Sequence, residues 1–272
     1  MPSLNSISVS QLSRLVGTPD APVILDVRID EDFAADPGLI PSSFRQPFRS
    51  VDDLAGRLQG RRVVVACWKG LKLSEGVAAI LRASGIHAEF LEGGCTGWRE
   101  AGLPMVPAAS LPGRNSEGQT VWVTRHRPKI DRIACPWLIR RFVDPSARFL
   151  FVSPAQVDAV AEKFGATPFD VENAFWSHRD DRCSFDTMLE EFQLQSAPLS
   201  RLATIVRAAD TNRHDLAPEA AGLLAASLGL SRMYKDDLRQ LEAGMGLYDA
   251  FYRWARDATD EGHDWPTTGG RG

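Results

Sequence analysis

The sequence predicts two folded parts: an α/β domain built on a parallel sheet, then a predominantly α-helical domain with a few short strands. Three observations predict this order. The apolar runs Val23-Ile-Leu-Asp-Val27 and Arg62-Val-Val-Val-Ala66 are bounded by turn residues, as expected of strands buried on both faces. A helical-period segment follows the second run and leads to a further strand, and strand–helix–strand order means right-handed parallel crossovers. Beyond Gln119 the apolar spacing becomes mostly that of helices.

In the first part, Leu73 to Ser84 repeats apolar residues at helical spacing and stops at Gly85. Ala88-Glu-Phe-Leu91 reads as the next strand, closed by the Gly93-Gly94 break. Pro104 to Gln119 has three prolines, two glycines and no apolar period, and reads as a linker. In the second part, Thr120–Thr124 and Arg148–Val152 read as strands. Helices are expected at Pro154–Phe164, Asp186–Phe192, Leu199–Thr211, Pro218–Leu228 and Lys235–Ala258, with Gly244 and Gly246 interrupting the last. The division is therefore a domain over 1–107, a linker over 108–119, a second domain over 120–258 and a polar tail over 259–272 that frays.

Composition narrows the function. The chain has 272 residues, 44% of them hydrophobic and 24% charged, which is ordinary for a globular protein. Net charge is −4, so there is no bulk attraction to nucleic acid or anionic lipid, and neither is expected as a partner. No apolar run approaches the roughly 20 residues that span a bilayer, and Met1–Ser8 lacks the pattern of a secretory signal. A cytoplasmic location is expected. The four cysteines, Cys67, Cys95, Cys135 and Cys183, form no CxxC pair and read as free thiols.

Cys67 is the first candidate for chemistry. It ends a predicted parallel strand and opens a short loop, Trp68-Lys-Gly-Leu-Lys72, into a helix. Backbone amides and the positive helix end meet there, which favours a thiolate nucleophile. Gly70 lets the loop curl, and Lys69 and Lys72 add charge for an anionic substrate or a persulfide. Cys95, in the closing glycine turn, and Trp98 read as structural.

These residues resemble the rhodanese family of sulfurtransferases, whose active loop runs Cys-x-x-Gly-x-Arg; Lys72 takes the arginine's place. Leu25-Asp-Val-Arg28, Gly38-Leu-Ile-Pro41 and Leu91-Glu-Gly-Gly-Cys-Thr-Gly-Trp98 through Gly102-Leu-Pro104 are similar to further motifs of that family, over about residues 5–107. The resemblance implies that Cys67 takes a sulfane sulfur from a thiosulfate-like donor and passes it to a thiol acceptor. It also implies that Lys69, Gly70, Lys72 and Arg28 bind the substrate.

In the second part, residues 125–141 hold six Lys and Arg against the single acid Asp131, a local cluster suited to a small oxyanion. Arg125, Lys129 and Arg132 are its candidate ligands. Pro136 fits the first position of a helix capped by Cys135, whose thiol is then either reactive at the helix end or simply buried. Asp170, Glu172, His178, Cys183 and Asp186 lie close in sequence, and Asp210 and His214 fall four apart on an expected helix. Glu172, His178, Asp210 and His214 are the candidate ligands of a divalent metal in this domain.

Taken together, Thr124 to Asp144, Ser177-His-Arg through Cys183-Ser-Phe-Asp186, Ile205 to Asp210 and Ala217 to Leu223 resemble the carboxy-terminal ChrB-type chromate-resistance domain, over about 120–258. That resemblance implies a role in chromate resistance, with chromate or another oxyanion as a partner. The alternative is a chromate-responsive sensor or regulator whose first module is not catalytic. Direct chromate reduction lacks the GxGxxG fingerprint of a dinucleotide electron source.

Overall fold

The computed structural model describes residues 5–262. The tail predicted over 259–272 therefore lies largely outside the described residues. The first half contains β1 (Ser6–Ile7), α1 (Val9–Leu15), β2 (Val23–Asp26), α2 (Asp30–Ala35), β3 (Gly38–Leu39), β4 (Phe44–Arg45) and α3 (Ala55–Leu58). It continues with β5 (Arg62–Ala66), α4 (Lys72–Ala83), β6 (His87–Leu91), α5 (Gly94–Glu100) and β7 (Val106–Pro107). Five of the strands form one parallel sheet in the order β1-β6-β5-β2-β4, so β5 is central.

Alternation along β5 divides its side chains between two layers. Val63 and Val65 pack with Leu25, Val77 and Leu81 beneath α4, whereas Val64 and Ala66 face the opposite core with Leu12 and Trp98. The glycine break at residues 93–94 is tighter than expected: α5 begins at Gly94, so Cys95 is helical rather than part of a turn.

The second half contains β8 (Val121–Arg125), α6 (Asp131–Leu138), β9 (Arg148–Val152), α7 (Val157–Phe164), β10 (Thr167–Pro168), α8 (Ser184–Glu191) and α9 (Ala197–Asp210). Two more helices, α10 (Ala220–Met233) and α11 (Asp237–Asp257), complete it. A three-stranded parallel sheet, β10-β8-β9, is the minor component of this mainly helical half.

Three local expectations are corrected. Helix α6 starts at Asp131, so Pro136 is internal and Cys135 is no cap; a wider five-residue turn at Ile139–Val143 follows the proline. Helix α9 stops at Asp210 because Asn212 turns the chain at φ 57°, and His214 belongs to a separate short turn. It therefore shares no helical face with Asp210. Helix α11 runs unbroken through both glycines. At Gly244 an added Cβ would lie 2.7 Å from Ile133 Cγ2, so glycine is what lets α6 and α11 meet.

The segment read as a linker is tied down. β7 pairs antiparallel with β3, and Arg114 bridges Thr120 across a turn closed by Asn115. A single apolar core joins the halves, with Leu12, Val16 and Trp98 in the same cluster as Trp137, Phe142 and Tyr252. The Ser42 amide donates to the Phe142 carbonyl at 2.6 Å across this junction.

Candidate functional sites

Cys67 directly follows the central strand, as expected, and continues its alternation. Its side chain therefore falls on the layer of Val63 and Val65 and is only 5% exposed. Its polar contact is the hydroxyl of Ser74, in the first turn of α4, with Sγ and Oγ 3.2 Å apart. The Ser74 hydroxyl also reaches the Leu71 carbonyl.

The loop amides behave differently from expectation. Among the described residues no backbone N–H of residues 68–72 donates to the sulfur. Instead the loop's carbonyls face the start of α5, accepting from the Cys95 amide at 2.9 Å, the Thr96 amide at 3.0 Å and the Thr96 hydroxyl at 2.8 Å. Gly70, at φ 67°, and Gly94, at φ 58°, pack backbone to backbone; a Cβ at either would fall within 2.4 Å of the other segment's peptide atoms. Lys69 and Lys72 are exposed beside the loop.

Arg28 is not available to a substrate. It is 1% exposed and clamped on Asp26, with Nη2 2.5 Å from Oδ2, and it also donates to the carbonyls of Asp36 and Gly38. Its role is to fix the end of β2. Cys95 is equally unsuited to nucleophilic work. Burial first, then the nearby Asp26 carboxylate, pushes its thiol up to about 12.

A second constellation lies in the other half. His178 and Asp210 do meet, with Nε2 and Oδ2 3.2 Å apart. Glu172 and His214 stand exposed outside this group. Their places are taken by Asp170 and Asp131, whose oxygens lie 3.3 and 3.5 Å from the same nitrogen. One ligand atom from each of Asp131, Asp170 and His178 lies within 4.8 Å of the others, a spacing that could hold a metal ion. Asp131 was not among the expected ligands because it sits among six cations in the sequence, where an acid reads as a counter-charge.

Local structure explains the convergence. Asp131 opens α6 after Ile130, a β-branched residue at φ 36° whose carbonyl accepts from the buried Tyr248 hydroxyl at 2.9 Å. Asp170, at φ 49°, turns inward after Phe169, while the N-terminus of α8 points at both acids. The Ser184 amide donates to Asp131 Oδ2 at 2.6 Å and its hydroxyl to Asp170 Oδ1 at 2.7 Å.

Burial and the neighbouring Asp210 and Asp170 charges push the Asp131 carboxyl well above the carboxylate range. Hydrogen bonds to Asp170 and Asp210 raise His178 to about 10 despite desolvation. Burial also works against ionisation of Asp170, but its bonds to His178 and Ser184 and the Arg132 charge hold its carboxyl below the usual value.

The expected oxyanion residues divide. Arg132 Nε and Arg125 Nη2 lie 3.2 and 3.6 Å from Asp170 Oδ2, so both guanidiniums belong to the acidic group rather than to a free anion site. Lys129 is half-buried on the loop entering α6. Cys135 and Cys183 are both fully buried, and burial pushes their thiols well up, which settles Cys135 as a packed thiol.

Comparison with known proteins gives both halves a relationship. Residues 8–101 match the rhodanese-like domain, and residues 122–255 match the ChrB C-terminal domain. Protein ChrB of Cupriavidus metallidurans is 35% identical over 156 residues, covering 56% of this chain. The chain spans 46% of that relative's length, about half. A rhodanese-like domain protein from Staphylococcus aureus is 31% identical, covers 35% of this chain and 91% of its own, and has a TM-score of 0.31. A rhodanese-related protein from Thermoplasma volcanium is 26% identical, with coverages of 38% and 97% and a TM-score of 0.33. The chain is thus a fusion of an N-terminal rhodanese-like domain, residues 8–101, with a C-terminal ChrB domain, residues 122–255.

Proposed function

We propose that this chain is a cytoplasmic sulfurtransferase-type protein serving chromate resistance, with Cys67 as the sulfur carrier and the ChrB domain as its ligand-binding half. The observation that carries the reading is the placement of Cys67. It stands at the carboxyl end of the central strand, opens the loop into α4, touches the Ser74 hydroxyl and is flanked by exposed Lys69 and Lys72. A parallel sheet presents ligands at this end of its strands. Four free cysteines fit a reducing compartment.

The chemistry balances with a thiosulfate-like donor and a thiol acceptor. The Cys67 thiolate attacks the sulfane sulfur, the donor's sulfur–sulfur bond breaks, and sulfite leaves with the electron pair. The acceptor thiolate then attacks the outer sulfur of the persulfide, and Cys67 leaves as thiolate. In this scheme the Ser74 hydroxyl turns its one hydrogen from the Leu71 carbonyl to the sulfur and steadies the thiolate in both steps, and Lys69 and Lys72 draw in the dianion.

The test is thiocyanate release from thiosulfate and cyanide. Cys67→Ala is expected to abolish it, whereas release unchanged by that substitution overturns the assignment. A second reading, a chromate-responsive sensor with a silent rhodanese module, is favoured by the burial of Cys67 and by the absence, among the described residues, of a loop amide donating to its sulfur. Folded wild-type protein that releases no thiocyanate supports it.

A further inference from the structure

His178 can carry at most one hydrogen on Nε2. Yet Asp210 Oδ2, Asp170 Oδ1 and Asp131 Oδ2 crowd that nitrogen at 3.2, 3.3 and 3.5 Å, from three separate segments of the chain. A single N–H cannot serve three acceptors. Asp131 adds a second and independent sign: it is fully buried, and its other oxygen, Oδ1, has no hydrogen-bond partner. A buried polar atom without a partner is costly and calls for an explanation. A divalent cation accepts donor atoms from several directions at once, which one proton does not.

We infer that Asp131, Asp170, His178 and Asp210 form a binding site for one divalent first-row cation of the manganese, ferrous iron or zinc class. This deepens the ligand-binding reading of the ChrB domain and is independent of Cys67. Three carboxylates and one imidazole are an oxygen-rich donor set, which disfavours soft ions. The nearby Cys183 thiol is turned to Asp186, at 3.3 Å, and contributes no sulfur.

The supporting residues have the form such a site needs. Ser184 orients Asp131 through its amide and Asp170 through its hydroxyl. Arg125 and Arg132 hold the outer oxygen of Asp170, leaving Oδ1 directed inward. With a neutral imidazole, three carboxylates against these two guanidiniums leave one net negative charge, which a dication matches in sign. The His178 side chain is 42% exposed, so the group opens to solvent on one side.

Titration of the chelator-treated 272-residue chain with Mn²⁺, followed by the resonance of the free aquo ion, tests this. Wild type is expected to remove one Mn²⁺ per chain from solution. Asp170→Asn and Asp131→Asn are expected to weaken binding by about tenfold or more while keeping the wild-type circular dichroism spectrum. Should Asp131→Asn not fold, Asp170→Asn and His178→Gln carry the test. Glu172→Gln and His214→Gln are expected to bind as wild type. Binding absent at millimolar ion, or retained in folded Asp170→Asn, overturns the site. The same variants are expected to keep wild-type thiocyanate release, so failure here is distinguishable from failure at Cys67.

Discussion

At Cys67, strand alternation and loop chemistry pull in different directions. The alternation of β5 sends the thiol under α4, and the loop that should cradle it is held by hydrogen bonds to α5. What remains beside the sulfur is Ser74, so Ser74→Ala is predicted to lower sulfur transfer about three- to tenfold with little loss of stability, the worth of one hydrogen bond. The kcat of thiocyanate release checks it. The other thiols are predicted to be inert in the native protein at pH 8. Cys95, raised to about 12, is protonated there and gains thiolate only as pH climbs toward that value. Iodoacetamide labelling followed by peptide mass mapping is expected to modify Cys95, Cys135 and Cys183 only after unfolding. Residue type and order singled out Cys67, His178 and Asp210 because their contexts are local; the structure places Cys67 against Ser74 and His178 against Asp210. Asp131 was hidden by its cationic neighbours, and Arg28 was misjudged because its partner, Asp26, lies two residues away inside the same motif.

Among the elements, most helices of the second half were legible from periodicity because each buries one face. The exceptions have physical causes. The start of α6 was hidden because Ile130 takes a backbone conformation that a β-branched residue rarely adopts. The extension of α9 to His214 failed because a left-handed Asn212 ends the helical path, which the apolar spacing does not encode. In α11, two glycines two residues apart should respond oppositely to alanine. Gly246→Ala meets open space and is predicted to stabilise the protein by about 0.5–1 kcal/mol. Gly244→Ala meets Ile133 and is predicted to destabilise it by about 1–3 kcal/mol. Urea midpoints of the two variants check both signs.

For the whole molecule, the sequence reading is two domains across a linker, and the structure adds an apolar core that both halves share. Trp137, Phe142 and Tyr252 form a ring cluster with centroids 5.5–5.7 Å apart, and this cluster is continuous with Leu12 and Val16 of the first half. Such continuity is invisible to local pattern because it joins residues more than a hundred positions apart. Calorimetry is predicted to show one cooperative transition, with Phe142→Ala lowering stability by about 3–5 kcal/mol. Two separated transitions in wild type would contradict a common core. The arrangement also leaves the Cys67 loop and the carboxylate–histidine group in different domains, so each can be altered alone.

The central claim is that Cys67 carries sulfur, and mass spectrometry of the protein after exposure to thiosulfate, without reductant, tests it most directly. The account predicts a mass gain of one sulfur atom confined to the peptide containing Cys67 and absent from Cys67→Ala. An unchanged mass, or added sulfur on Cys95, Cys135 or Cys183 instead, would contradict it.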